Sequence, residues 1–546
     1  MTDVPRPAWL NEGLVFHSVQ EPLIFRVRRG RAPADLEEAS ERERSDRAVD
    51  ELAAAGVTLA IANGHKAFGL AAEEADIASA ERFFARCRAR GLRTGVYIGD
   101  TMAYETFFLE EPAARDWATI QHDGQPLYYS RGAQPFRLVP CRSHPGWIDF
   151  QKRVITMCIE RLGADFIHFD NVFLYEEPRS CHCAQCRAGF RAFLAAKYTP
   201  AERRRRLGFE AVEGIEPPPW VPRDDFVPHR HTRRITDPLQ QEWIDYRCCA
   251  LAAMYRQLCE HARGLKPDIV LECNPTKAVT NAAFYKGVDL PRLVPHGHFF
   301  WVEDGNAARL EPDGRLVSNI RTHKIGRRLG NGVFAYLQHD GDERLTALRV
   351  AEAMAFNLDC VGRCVAPPAS LPGRLVQFYR RRRELFAGVR TRADVGVLRS
   401  FASLAWDCWD THLSVLAAEQ TLIQTRVPWH PLFDADLTPE ALGRYAAVVL
   451  ADVHFLSDAQ AAVLADYVRG GGGLLLIGET GLWDEMARRR ERCVFADLLD
   501  EGLAVGMRRR VGDGRIAWLQ RRTLADVPPQ YHGDHQVGGQ YMMLPP

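Results

Sequence analysis

Between residues 164 and 198 the chain reads ADFIHFDN, a short loop, then CHCAQC and the run RAGFRAFLAAKY. Asp170 and Asn171 stand at the end of an alternating, aromatic-rich segment, residues 165–169, whose pattern is that of a buried strand. A carboxylate at the C-terminal end of a strand is where an α/β barrel keeps its chemistry. Cys181, Cys183 and Cys186 follow at the C-x-C-x-x-C spacing that offers three thiolates to one metal ion. Structural zinc takes a fourth ligand to close its tetrahedron; Cys141, in RLVPCRSHPG, is the first candidate, with His182 and His144 as rivals. A four-cysteine shell leaves no open position for water, so the ion expected is a structural Zn2+ rather than a catalytic one. No organic cofactor is expected.

Asp170 suits the role of a nucleophile, or of a group that stabilises a developing oxocarbenium ion, and glycoside hydrolysis needs a second carboxyl about 5–5.5 Å or 6.5–9.5 Å away. The plainer alternative is a structural acceptor for the loop's N–H groups. Four residues could supply the second carboxyl: Glu303 or Asp304 in FFWVEDGN, Glu272 in LECNP, and Asp340 in LQHDGDER. Trp301, preceded by Phe299 and Phe300, would stack on the C–H face of a pyranose, or simply fill core. Glu272 follows three apolar residues; it is either a desolvated acid with a raised pKa or an ion-pair partner one layer below the site. Arg137, Asn171, Asn274, His168, His339 and Tyr104 complete the expected polar lining, while His17 and His65 read as structural.

Apolar runs bounded by turn residues alternate with helical spacing of three and four, the pattern of βα units around a parallel sheet. Eight strands are expected before residue 370: 14–19, 57–62, 93–98, 166–169, 269–273, 298–301, 333–337 and 358–361. Helices are expected at 46–55, 78–90, 147–162, 243–263 and 344–357. Eight such units predict an α/β fold of the (β/α)8, TIM-barrel type, although a doubly wound open sheet shares the alternation. Long excursions at 99–143, 171–240 and 302–319 leave strand C-terminal ends, where a barrel's active-site loops belong.

After residue 390 the pattern changes to short strands at 395–398 and 448–451, a helix at 458–469, four glycines and a fully apolar strand at 474–477. These describe a second, smaller α/β domain. The glycine run follows a helix and opens a strand, the reverse of a phosphate loop, and so reads as a turn. The expected division is 1–390 for a catalytic barrel with its zinc loop, 391–528 for the second domain and 529–546 for a C-terminal tail.

A chain of 546 residues that is 46% hydrophobic has ample core for two domains. Its 70 basic and 70 acidic residues balance to zero, which argues against nucleic acid or an anionic membrane as partner, and the arginine runs at 203–206 and 380–383 read as solvated faces. The first residues, MTDVPRPAWL, lack a basic region followed by an apolar run, and no stretch reaches the length of a membrane span, so a cytoplasmic protein is expected. The 14 cysteines are then mostly reduced core thiols, the 181–186 cluster excepted.

FDN, the loop, and CHCAQCRAGFRAFLAAKY resemble the corresponding segment of family-42 glycoside hydrolases, the barrel β-galactosidases. The resemblance implies zinc on Cys141, Cys181, Cys183 and Cys186, and makes Arg137, four residues before Cys141, the counterpart of a substrate-binding arginine. The segment AAVVLADVHFLSDAQAAVLADYVRGGGGLLLIGETG resembles the family's trimerisation domain, which is glutamine-amidotransferase-like and lacks the nucleophile elbow; a homo-oligomer, specifically a trimer, is implied. The departures fall on the chemistry. Where the family has an Asn-Glu pair after the fourth strand, Asn171 is followed by Val172, and near the seventh strand's nucleophile position stand Tyr336, Leu337 and Gln338. The expectation is therefore a glycoside hydrolase acting on a small glycoside or oligosaccharide through a carboxylate pair that includes Asp170. Two alternatives stay open: a catalytically silent carbohydrate-binding barrel, and a lyase or isomerase on a sugar acid, for which Arg137 and Lys66 or Lys277 would converge.

Overall fold

The structure, a computed structural model, describes residues 4–19, 21–28, 36–129, 134–218, 234–275, 282–302, 308–310, 316–337, 341–407, 410–499 and 506–521. The eight expected strands form one parallel sheet. They are β1 (Leu14–Ser18), β2 (Leu59–His65), β3 (Arg93–Ile98), β4 (Phe166–Phe169), β5 (Val270–Cys273), β6 (Phe299–Trp301), β7 (Gly332–Phe334) and β8 (Cys360–Arg363). Their order, β7-β6-β5-β4-β3-β2-β1-β8, is sequential apart from the β1–β8 pairing that brings the ends together. A parallel bridge between Tyr336 and Arg363, with Arg363 N donating to Ala335 O at 2.9 Å, closes β7 onto β8. The result is a (β/α)8 barrel, and the open-sheet alternative is set aside.

Alternation decides what each strand presents to the interior. Leu14, Phe16, Leu59, Ile61, Phe166, Val270, Phe299, Trp301 and Phe334 pack together inside the barrel, with Phe334 stacked on Phe16 at 4.3 Å and on Phe166 at 4.9 Å. Gly95 makes room for this: a Cβ there would lie 3.1 Å from both Ile61 and Phe166. The opposite faces, including Ala60, Val96, Ile167, Leu271 and Phe300, pack outward with the surrounding helices. Those helices start and stop on local signals. Asp46–Ala55 is capped by Ser45, whose side chain accepts from Ala48 N, and ends at Gly56 with φ 89°. Pro238–Leu265 begins at Asp237, which caps Gln240 N, with proline at its first position.

A second sheet contains β9 (Val395–Arg399), β10 (Trp429–Phe433), β11 (Ala447–Ala451), β12 (Gly473–Ile477), β13 (Arg508–Val511) and β14 (Gly514–Leu519). Its order is β10-β9-β11-β12-β14-β13, parallel except for the β13 edge. β10 escaped the sequence reading because Pro431 interrupts its apolar run, which an edge strand tolerates. Helix Asp458–Arg469 carries a Ser457–Gln460 capping box and runs through Gly471, φ 109°, directly into β12, so the glycine run is a helix-to-strand turn. The two sheets are tied by a buried charge. Glu419, fully buried, accepts from Arg321 of the barrel helix Ile320–Arg328 at 2.7 Å and from Arg399 of β9 at 2.7 and 2.6 Å. Among the described residues no helix is long and apolar enough to cross a membrane. The tail 529–546 lies outside them.

Candidate active site at the barrel mouth

Continuing the alternation of β4 one step beyond the strand places Asp170 on the same face as Phe166 and His168, above the aromatic interior. The same rule brings Asn274 up from β5, Tyr97 from β3, Trp301 from β6 and Tyr336 from beyond β7. These residues line a cavity of about 400 Å³ together with Lys66, Arg137, His168, Asp170 and Asn171. Asn171 takes φ 49°, a left-handed conformation that asparagine tolerates better than most residues, and it turns the chain out of the barrel.

Asp170 is held from several sides. Asn171 Nδ2 donates to its Oδ2 at 2.8 Å and Asn274 Nδ2 to its Oδ1 at 3.2 Å. The Tyr97 hydroxyl donates to Oδ2 and itself accepts from Lys66 Nζ at 2.6 Å. His168 Nε2 lies 3.8 Å from Oδ1. Burial alone would raise this carboxyl, but the nearby His168 imidazole, the Lys66 charge and the Tyr97 hydroxyl outweigh it and hold Asp170 well below the usual carboxylate range. It is an anion at every physiological pH, suited to nucleophilic or electrostatic work and not to donating a proton.

Beneath it, His168 Nδ1 donates to Glu272. The imidazole is stacked on Tyr97 at 5.0 Å and meets the Trp301 ring edge-on at 5.2 Å. Burial pulls His168 down, yet the Glu272 charge and the Asp170 contact overcome it and push it up to about 9, so the ring is an imidazolium between two carboxylates. Glu272 has no exposed surface and its own pKa is raised by burial. Of the two positions open to it, it occupies the one a layer below the cavity, paired with His168 and out of a substrate's reach. Asp100, beyond β3, is neutralised by Arg142 at 2.7 Å and receives Asn171 Nδ2 at 3.2 Å.

Of the other expected site residues, Arg137, Asn171, Asn274, Trp301 and His168 meet at the cavity. Tyr104 begins helix Tyr104–Glu110, and its side chain lies outside the described residues, as do Glu303, Asp304, His339, Asp340 and Lys277. Val172 is buried at 5% exposure and its N–H is bonded to Asn274 O at 2.8 Å. Sequence reasoning missed Tyr97, although it is an inward position of an alternating strand, and Glu21, which sits in the loop after β1 and pairs with Lys66 at 3.5 Å.

The four cysteines gather into one cluster, all four sulfurs lying within 4.8 Å of one another. Cys141 Sγ is 3.5 Å from Cys186 Sγ and 3.6 Å from Cys183 Sγ. Four thiolates about 2.3 Å from a tetrahedral zinc stand roughly 3.8 Å apart, so the set fits a metal of that size. The rivals are engaged elsewhere: His182 contacts Glu177 at 3.2 Å and Ser180 at 3.0 Å, and His144 Nδ1 accepts from Gly146 N at 3.2 Å. Arg142, next to Cys141, reaches from the cluster to Asp100 Oδ2 and to Asn171 O at 3.2 Å, so the metal loop and Asp170's neighbour share one side chain.

No family model and no curated protein matches this sequence. Solved structures do. The β-galactosidase of Rahnella sp. R3 superposes with TM-score 0.68 at 14% identity, covering 100% of this chain and 91% of that one. Gan42B, a GH42 β-galactosidase from G. stearothermophilus, gives 0.69 at 12% identity over 98% and 89% of the two chains. An α-L-fucosidase isoenzyme of Paenibacillus thiaminolyticus gives 0.52 at 14% over 82% and 63%. At such identities the likeness shows the fold: along nearly its whole length this chain has the architecture of the GH42 β-galactosidases, a (β/α)8 barrel followed by a smaller α/β sheet.

Proposed function

We propose that this protein is a glycoside hydrolase acting on a small glycoside or oligosaccharide, with Asp170 as the nucleophile of a retaining reaction. The observation that carries the reading is the environment of Asp170: a half-buried carboxylate at the cavity floor, held well below the usual carboxylate range and oriented by Tyr97, Asn171 and Asn274. Trp301 and Tyr336, edge-on at 4.8 Å, offer the aromatic wall a pyranose ring stacks against. Attack by Asp170 on the anomeric carbon forms a glycosyl ester while an acid protonates the departing oxygen; water then hydrolyses the ester with that group acting as base. Glu303, Asp304 and Asp340, which follow β6 and β7 in the sequence, are the proposed source of the acid/base, with Glu21 a further carboxylate among the described residues at the cavity. The activities of the structural neighbours, β-galactosidase and α-L-fucosidase, support glycosidic-bond cleavage in general.

The four-cysteine cluster is read as a structural zinc site that braces the loop over the mouth, and the second sheet, with the residues 391–528, as an assembly domain giving a homotrimer in the cytoplasm. The deciding experiment is incubation with 2-deoxy-2-fluoro aryl glycosides of several sugars and both anomers, followed by peptide mass spectrometry. A glycosyl adduct on Asp170, lost in Asp170→Asn along with turnover, is expected. Full activity in Asp170→Asn would overturn the assignment.

A further inference from the structure

Four cations, Lys66, Arg137, Arg142 and His168, and four anions, Glu21, Asp100, Asp170 and Glu272, stand in and around the cavity, and of the cations only Arg137 has no ion-pair contact with a described residue. Asp100 is answered by Arg142, Glu272 by His168, and Glu21 by Lys66. Arg137 is only 7% exposed and makes no ion pair with any described residue. Its Nε and Nη2 donate to the Thr101 hydroxyl at 3.1 and 3.0 Å, and its Nη1 to Gln134 Oε1 at 3.1 Å, so its hydrogen-bond partners are neutral. Elsewhere in the molecule Arg206 is compensated by Glu242, and Arg321 and Arg399 by Glu419, while Arg247, like Arg137, is met by neutral oxygens, the carbonyls of Tyr175 and Tyr285. Removing a charge from water without a counter-charge is costly.

The site is also built for a planar anion. The Arg137 guanidinium is fixed between Tyr129, 4.1 Å from its ring centroid, and Phe25, at 5.4 Å. A guanidinium has five N–H groups; three are used, which leaves one on each terminal nitrogen, the fork that grips a carboxylate or sulfate. Lys66 Nζ lies 5.1 Å from the centroid of the same Phe25 ring, so two cations flank that ring, Lys66 paired with Glu21 and linked through Tyr97 to Asp170, Arg137 with no ion pair among the described residues.

We propose that the glycoside this mouth accepts bears an anionic group, a carboxylate or a sulfate ester, which pairs with the free N–H groups of Arg137. The proposal rests on the hydrolase reading and narrows its substrate class. It is tested with 4-nitrophenyl glycosides of both anomers in matched sets: galactose and glucose, their uronides, and their 6-sulfates. The uronide or the sulfate, whichever is the source of the anion, is expected to exceed its neutral counterpart at least about tenfold in kcat/KM. Arg137→Gln should lower kcat/KM for that anionic substrate by about 10- to 100-fold, mainly through KM, and should cost the neutral member less. Arg137→Lys, which keeps the charge and loses the fork, should fall between. Preference for the neutral member, or an equal loss on both in Arg137→Gln, overturns the anion proposal and leaves the hydrolase reading standing. Cleavage of none, with calorimetric binding of free uronate or sugar sulfate that Arg137→Gln weakens, sinks the hydrolase reading and keeps the anion site. Neither cleavage nor binding of any anionic sugar overturns the proposal outright.

Discussion

Replacing Glu272 with glutamine tests the charge arrangement under Asp170 without depending on turnover. The side chain keeps its shape and loses its charge, so His168 loses the partner that does most to hold its proton against burial. His65 shows where burial takes such a ring: fully enclosed, even with Glu73 3.6 Å away, it is pushed down to about 3. In the wild type the His168 pKa is raised from 6.5 to about 9, and at about 1.4 kcal/mol per unit the protonated ring contributes about 3 kcal/mol. That agrees with the roughly 3–5 kcal/mol typical of breaking one side of a buried ion pair. Because the folded-state pKa lies above the unfolded one, this contribution is fully present below pH 6.5 and is lost as pH rises through 9. Thermal unfolding of wild type and Glu272→Gln should therefore differ more at pH 6 than at any higher pH, and the gap should shrink as the pH rises through 9 toward 10. A gap of constant size across that range would refute the imidazolium, and with it the account of how Asp170 stays ionised.

Cys183→Ser should remove one corner of the sulfur tetrahedron; metal analysis of the purified proteins should find about one zinc per chain in the wild type and almost none in the variant. Glu419→Ala strands two buried guanidiniums where the sheets meet, and chemical denaturation should show a loss of about 3–5 kcal/mol, against a change within about 0.5 kcal/mol for an exposed control such as Glu384→Ala.

How far the sequence reveals this molecule depends on what each residue answers to. The eight barrel strands were legible because each is a short apolar run whose neighbours are helices, and β4 through Asp170 could be followed residue by residue because alternation fixes which side chains face inward. The cysteine cluster was legible for a similar reason: metal-ligand spacing is local, and only Cys141 had to be brought from a distance. What stayed hidden depends on contacts between strands. Nothing within TGVYIG says that Tyr97 will meet Asp170 and Lys66, and nothing around Glu272 says that His168, on the neighbouring strand, will claim it. β10 was hidden by a proline, and β13 and its RRRV sequence by charge, since edge strands need not look apolar.

Arg142 gives the cysteine loop a reach beyond its own fold. It follows a metal-ligand candidate in sequence, and its guanidinium grips both Asp100 and the carbonyl of the residue that orients Asp170. Oxidation of these thiols, or loss of an ion they could hold, would therefore bear on the cavity around Asp170, whose lining contains no sulfur. An inhibition profile dominated by thiol reagents would point here to a support disturbed at its far end, and it would mislead anyone who took it as the signature of a cysteine nucleophile.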